Sequence, residues 1–160
     1  MITCTFENSD QTSLRHVVVD TLVIKDGKIL LAKRGTFKGK PILETGKWGL
    51  VGGFVDRDET VEQVVHREVE EETGLKLQKC ILLRINDRPD RPREDRQNIS
   101  FVFIAEAVGV TRDNSEEVRE LKWFDLDSIP DQNEIAFDGA ENIELYKAYK
   151  KNPFPLPRVG

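Results

Sequence analysis

The segment from Gly53 to Leu75 places acidic side chains on the helix face that its valines would bury. At about 100° per residue, four valines share one apolar stripe of the predicted helix: Val61, Val64, Val65 and Val69. Glu68 and Glu72 fall within that stripe, and Glu71 lies on its flank. An ionised carboxylate that is buried without a partner costs a large amount of free energy, and the negative end of the helix dipole adds to that cost. The segment therefore predicts a cation beside these glutamates, and a functional reason for the pattern.

Composition limits the class of protein. A chain of 160 residues with 38% apolar content predicts one compact domain over residues 1–160, with an irregular proline-rich tail from about 152. The net charge of -5 repels nucleic-acid backbones and free phosphates, so a phosphate-bearing ligand would need a local cation. Cys4 and Cys80 lie far apart without metal-ligand spacing, which favours free thiols in a reducing compartment. With neither a signal peptide nor a membrane span in the sequence, we expect a cytoplasmic protein.

The remaining pattern predicts strands around this helix. Residues 16–24, the turn at Asp26 and Gly27, and the apolar residues after it predict a β-hairpin. The helix should run from about 60 to 73, with Asp58 or Thr60 as its N-cap and Gly74 closing it. Residues 35–46 are predicted to be a loop, and residues 48–53 a short strand or a tight turn. Further strands are predicted at 77–86, 98–108 and 117–124, and a second helix at 139–150.

The clustered carboxylates predict a site for a hard cation. Residues three and four apart are neighbours on a helix, so Glu68, Glu71 and Glu72 form one cluster about a turn long. Oxygen ligands suit Mg²⁺ or Mn²⁺, and Mg²⁺ often shares its coordination shell with substrate phosphates. Arg67 could orient or neutralise a neighbouring carboxylate, and Glu59 could favour the helix N-terminus or pair with Arg67. For Arg67 and Glu59 the alternative is a solvated surface charge.

The segment resembles the Nudix box, and the resemblance extends to the order of the predicted elements. It implies an α/β Nudix fold, with a mixed β-sheet sandwiched between α-helices, and hydrolysis of a nucleoside diphosphate linked to another moiety. The matching positions are Gly53, Glu59, Arg67, Glu68, Val69, Glu71, Glu72, Gly74 and Leu75, at the spacing of that motif.

The resemblance also implies roles for individual residues. Glu68 and Glu72 would be the principal ligands of Mg²⁺ or Mn²⁺, with Glu71 as a further ligand or as the base, and with a backbone carbonyl near Gly52. Arg67 would hold the glutamates in place, and Glu59 would support the loop and helix. The general base could instead come from outside the box, where Glu116 and Glu117 are the candidates.

The substrate is less strongly indicated than the reaction. The leading expectation is ADP-ribose or a nucleotide sugar. Pro89 and Pro92 lie near where ADP-ribose pyrophosphatases of this family tend to have a proline, which favours ADP-ribose. The segment Ile135 to Gly139 is similar to one in ADP-ribose-type Nudix domains, except that Gly139 stands where a histidine is frequent. The alternatives are hydrolysis of a free or oxidised nucleoside triphosphate, processing of an RNA 5′ end, and a sensor that binds an ADP-ribose-like ligand without cleaving it. A homodimer is expected from the resemblance alone.

Two groups of side chains are candidates for substrate binding. Arginines could hold a phosphate through bidentate contacts, or could belong to a solvated loop; they are Arg84, Arg88, Arg91, Arg93 and Arg96. Aromatic rings could stack on a base, or could belong to the core; they are Trp48, Phe54, Phe103 and Phe137.

Overall fold

The computed structural model describes residues 2–90, 97–112 and 115–160. These parts of the chain contain two α-helices, eleven strands and one short 3-10 helix (Gln132–Glu134). The helices are α1 (Val61–Thr73) and α2 (Gly139–Lys151). The strands are β1 (Ile2–Thr5), β2 (Gln11–Leu14), β3 (Val17–Lys25), β4 (Lys28–Arg34), β5 (Thr36–Phe37), β6 (Lys40–Pro41), β7 (Trp48–Gly49), β8 (Lys76–Asn86), β9 (Ile99–Val108), β10 (Val118–Asp125) and β11 (Arg158–Val159).

A mixed seven-stranded sheet forms the centre of the fold. Its strand order is β10-β4-β3-β9-β8-β11, and β7 pairs with β4. β3 runs parallel to β9, and β11 runs parallel to β8, while the other pairs are antiparallel. The hairpin between β3 and β4 turns at Asp26 and Gly27, which both have positive φ, as a two-residue turn of this kind requires. The predicted hairpin is confirmed.

The two helices cover opposite faces of the sheet. Along β3 the side chains alternate, so that Leu22 belongs to the apolar cluster that contains Ile143 of α2. Its neighbour Val23 belongs to the cluster that contains Val69 of α1. The predicted sandwich of a mixed sheet between helices is confirmed.

Capping interactions define both ends of α1. The Thr60 hydroxyl accepts the N–H of Gln63, and the Gln63 side chain accepts the N–H of Thr60, which makes a capping box. Thr60 is therefore the N-cap, and Asp58 is not. Gly74 closes the helix at φ 71°, and its N–H donates to the carbonyl of Glu70. Val64, Val65 and Val69 are buried, as the apolar stripe predicts.

Three short pairings depart from the sequence expectations. The predicted loop at 35–46 contains the two-stranded pair β5–β6, with Lys38 and Gly39 at positive φ in its turn. The tail is not irregular throughout, because β11 pairs with the edge of β8. The N-terminal hairpin β1–β2 was not predicted. Strands of two to four residues depend on backbone hydrogen bonds more than on an apolar period, so the sequence pattern gives little sign of them. In the described residues, no helix is long and apolar enough to cross a membrane.

Candidate active site

The glycines that precede α1 allow the backbone to lie against both β3 and the helix. Residues 51 and 53 pair with β3, where Val51 and Gly53 accept the N–H groups of Thr21 and Val19 at 2.7 and 2.9 Å. The intervening Gly52 therefore directs its N–H and C=O groups away from β3. A Cβ on Gly52 would lie 2.0 Å from the Val19 oxygen. Glycine at this position is required by close approach of the two chain segments.

Gly53 makes the corresponding approach to α1. A Cβ at Gly53 would lie 2.2 Å from Oε1 of Glu68. The carboxylate of Glu68 therefore packs directly over this glycine, and its side chain is 13% exposed. The backbone at Gly53 thus confines the carboxylate of Glu68, which extends from the middle of α1.

Arg67 connects the acidic groups around the start of α1. Its Nε and Nη2 donate to the two carboxylate oxygens of Glu59 at 2.8 and 2.9 Å, which is a bidentate pair. Its Nη1 donates to Glu68 at 2.8 Å and to Glu71 at 3.2 Å, and its Nη2 donates to the carbonyl of Phe54 at 3.3 Å. The guanidinium lowers the pKa of Glu59 below its ordinary value. Because its donors are engaged in this way, Arg67 is placed to orient carboxylates.

Burial perturbs the carboxyl groups of Glu72 and Glu68. Burial, followed by the negative charge of Glu68, raises the pKa of Glu72 to about 8, against the opposing hydrogen bond from the backbone of Gly52. Burial also raises the pKa of Glu68, although Arg67 opposes that rise. The charge of Glu117 raises the pKa of both groups. A cation bound beside these two groups would favour their ionised form.

The two glutamates before β10 lie in different positions. Glu117 lines the cavity that also contains Glu68 and Glu72. The carboxylate of Glu116 instead accepts the backbone N–H of Lys38 at 3.2 Å. Of the two predicted candidates, Glu117 is thus the one that faces the carboxylate cluster.

An open cavity of about 570 Å³ lies over the carboxylates. On one side of it are the acidic groups with Arg67. Apolar side chains form another part of the wall, namely Phe37, Ile42, Leu43, Leu50 and Phe137. Phe54 also lines the cavity and is 42% exposed, in contact with the His16 ring at 5.2 Å between ring centroids. The cavity therefore combines a carboxylate centre with apolar and aromatic surfaces, which is the mixture of groups found in small-molecule sites.

Some predicted substrate contacts are elsewhere. Arg88 is not among the residues that line this cavity, and its Nη2 donates to Glu141 of α2 at 3.2 Å. Arg84 is buried and donates to Gly160 and Asn142. Arg91, Arg93 and Arg96 lie outside the described residues. Trp48 and Phe103 are buried in the core, whereas Phe54 and Phe137 lie at the cavity.

Sequence reasoning missed Arg34, the last residue of β4. Its Nε donates to the carbonyl of Leu43 at 2.8 Å, and its guanidinium carbon lies 4.9 Å from the centroid of the Phe137 ring. Arg34 lines the cavity, and its charge lowers the pKa of Glu72 against the effect of burial. Alternation along β4 could have found it, because Leu30, Ala32 and Arg34 share the face that packs on α1.

Comparisons with known proteins agree with this geometry. The model of the NUDIX domain family matches residues 14–146, and the chain belongs to this family. The expectation of a Nudix pyrophosphohydrolase is thereby confirmed. An ADP-ribose pyrophosphatase of Methanocaldococcus jannaschii is 40% identical over 134 residues, which cover 84% of this chain and 74% of that protein.

A second relative and a solved structure extend the comparison. An NAD-capped RNA hydrolase, NudC, of Vibrio atlanticus is 34% identical, over 76% of this chain and 42% of that protein. The crystal structure of a MutT NUDIX hydrolase from Burkholderia pseudomallei superimposes with a TM-score of 0.71 at 32% identity, covering 83% of this chain and 98% of that one. The α/β Nudix fold is confirmed.

Nudix hydrolases generally use a divalent metal, and the donor set of this chain fits one. In the ranges 2–90, 97–112 and 115–160, no three His, Cys, Asp or Glu side chains are grouped closely enough to hold a metal ion by themselves. Mg²⁺ needs no such group, because it takes one or two carboxylates and completes its shell with waters and substrate phosphates. Glu68 and Glu72 both line the cavity, and the backbone of Gly52 donates a hydrogen bond to Glu72. Glu71, whose side chain is 60% exposed, lies on the outer flank.

Proposed function

We propose that this protein hydrolyses the pyrophosphate bond of ADP-ribose or of a nucleotide sugar, and releases a nucleoside monophosphate and a sugar phosphate. The observation that carries the proposal is the pair of confined carboxyl groups, Glu68 and Glu72, which open into a cavity of about 570 Å³ with aromatic walls. The similarity to an ADP-ribose pyrophosphatase supports this choice of substrate.

The proposed site holds Mg²⁺ or Mn²⁺ through Glu68 and Glu72, with the backbone of Gly52 and with Glu71 as further ligands. A bound ion would polarise the phosphoryl oxygens and make a water molecule easier to deprotonate. Its charge also allows a protein with a net charge of -5 to hold a diphosphate. Arg67 keeps Glu68 and Glu71 oriented, as a residue that donates to metal-binding carboxylates does.

Glu117 is the proposed general base. Its carboxylate takes a proton from the attacking water, the water oxygen bonds to one phosphorus, and the bond from that phosphorus to the bridging oxygen breaks. The bridging oxygen leaves with the other phosphate. Glu71 is the alternative base, but its carboxylate already accepts a hydrogen bond from Nη1 of Arg67 at 3.2 Å. For this reason Glu117 is the better candidate.

Substrate selection is assigned to the rim of the cavity. Phe54 is proposed to stack on a planar part of the substrate, because its ring is exposed there. Arg88 is held by Glu141, so a role in phosphate binding would require that ion pair to open. Arg96 stays a prediction from the sequence. The cytoplasmic location and the homodimer likewise stay predictions.

The first experiment is a substrate panel with matched variants. Phosphate release through a coupled phosphatase is measured with ADP-ribose, nucleotide sugars and nucleoside triphosphates, in Mg²⁺ or in EDTA. We expect metal-dependent turnover that favours ADP-ribose, and a loss on the order of 100-fold or more in Glu72→Gln. Glu70→Gln is the control, because Glu70 is an exposed neighbour on α1 and should leave the rate unchanged. Equal rates in both variants would contradict the assignment of the metal site.

A second candidate is hydrolysis at a nucleotide-capped RNA 5′ end. The similarity to an NAD-capped RNA hydrolase favours it, although this chain covers 42% of that protein. Hydrolysis of a capped RNA by a protein that does not hydrolyse ADP-ribose would support this candidate. If calorimetry detects binding of ADP-ribose and no substrate in the panel is hydrolysed, the protein is instead a sensor that binds the ligand without cleaving it.

A further inference from the structure

The segment that follows β4 is tied to the segment that carries Glu117. The N–H of Gly35 donates to the carbonyl of Glu117 at 2.7 Å, and the N–H of Thr36 donates to the carbonyl of Glu116 at 3.0 Å. The N–H of Lys38 donates to the side chain of Glu116 at 3.2 Å. Two of these hydrogen bonds hold the backbone of residues 116 and 117, and the third holds the Glu116 side chain away from the cavity that Glu117 lines.

Gly35 lies where the two segments touch. A Cβ on Gly35 would lie 2.7 Å from the carbonyl oxygen of Glu116 and 3.3 Å from that of Glu117. The nearest of these atoms belong to backbone, which yields less readily than the end of a flexible side chain. Any larger residue must therefore displace the backbone that carries Glu117.

The other end of the Gly35 peptide joins the wall of the cavity. The carbonyl of Gly35 accepts the hydroxyl of Thr45 at 2.9 Å and the N–H of Ile42 at 3.4 Å. Ile42 and Leu43 line the same cavity as Glu117. Through its two peptide groups, Gly35 connects the apolar wall to the segment that carries the proposed base.

We propose that Gly35 is a positioning residue for Glu117, and sets the distance of the Glu117 carboxylate from Glu68 and Glu72. This inference rests on the proposed function of Glu117. The residue does not touch the substrate and acts through the backbone of residues 116 and 117. Loss of this contact should therefore lower kcat while KM stays nearly constant, because binding by the remaining cavity wall persists.

The experiment is a double-mutant cycle between Gly35→Ala and Glu117→Gln. Gly35→Ala should lower kcat by about 10- to 100-fold, since a displacement near 1 Å of a catalytic group has effects of that size. In the Glu117→Gln background the same change should lower kcat by less than about 2-fold, because the group it positions is already inactive. Gly39→Ala is the control: the same loop, with no atom within 4 Å of the added Cβ. The control carries the local strain of φ +72° but should keep kcat.

Equal losses in both backgrounds would overturn the inference, because Gly35 would then support the fold in general. An unchanged kcat in Glu117→Gln would also overturn it while leaving the hydrolase activity intact. Absence of metal-dependent turnover in the parent would refute the proposed function itself. If Gly35→Ala does not fold, Thr45→Val is the substitute variant, because it removes the hydroxyl that contacts the carbonyl oxygens of Gly35 and Ile42. We then expect a loss of about 5-fold that vanishes in the Glu117→Gln background, and a loss of equal size in both would overturn the inference.

Discussion

Replacing Glu72 by glutamine should stabilise the metal-free protein at neutral pH. Burial and the charge of Glu68 raise the pKa of Glu72 from 4.5 to about 8. The folded-state pKa is the higher one, so the contribution of this group to stability is fully present below pH 4.5. It is lost as the pH rises towards 8, because the unfolded chain releases the proton first.

The size of the effect follows from the two pKa values. Relative to acid conditions, the loss of unfolding free energy is about 3 kcal/mol at pH 7 and about 4 kcal/mol at pH 8. The side chain of glutamine does not ionise in this pH range, so the Glu72→Gln variant does not lose this stability. Urea unfolding in EDTA, at several values of pH from 5 to 8, measures the difference between variant and parent. We expect that difference to move in favour of the variant as the pH rises.

Mg²⁺ should reverse the order of stability. A cation bound beside Glu72 favours the carboxylate, so the parent gains stability from the metal and releases a proton on binding it. The variant should gain much less. A difference in unfolding free energy that does not change with pH in EDTA would refute the reasoning, because the pKa of Glu72 would then be the same in the folded and unfolded chains.

Three further substitutions test the parts around this group. Arg67→Lys loses the bidentate pair with Glu59, and we expect kcat/KM to fall by about 10- to 100-fold with little change in the midpoint of thermal unfolding. Gly53→Ala places a Cβ 2.2 Å from Glu68 Oε1, and the Mg²⁺-dependent rate should fall by about 100-fold in a protein whose circular dichroism is unchanged. Thr60→Ala removes the N-cap, and chemical denaturation should report a loss of about 1 kcal/mol with the rate retained; an unchanged stability would contradict the capping box.

The box helix could be predicted because its determinants are local. The N-cap, the buried valines and the closing Gly74 all lie within a few residues of the helix, and each acts through i to i+3 or i+4 contacts. The phase of the helix then determined which glutamates turn inward. The pairing of Arg67 with Glu59 was one of two readings of the sequence, and the structure contains it.

Contacts between distant segments were harder to predict. Glu117 meets the box because β4 pairs with β10, with Val118 opposite Arg34, and this register cannot be read from a local period. Arg88 was predicted to face a phosphate, but α2 brings Glu141 within 3.2 Å of its Nη2. The side chains of loops are thus decided by tertiary neighbours, which sequence patterning does not specify.

The inward glutamates are not equivalent, and the difference indicates where a cation has its largest effect. Glu68 has the guanidinium of Arg67 at 2.8 Å, which offsets part of the cost of its burial. Glu72 has the backbone of Gly52 and the charge of Arg34, and these leave its pKa near 8. A bound cation should therefore lower the pKa of Glu72 more than the pKa of Glu68, because Glu68 already has a positive neighbour. Glu72 interrupts the apolar stripe of α1 at a position where the fold alone would favour an apolar side chain. A bound cation gives this carboxyl group a functional reason.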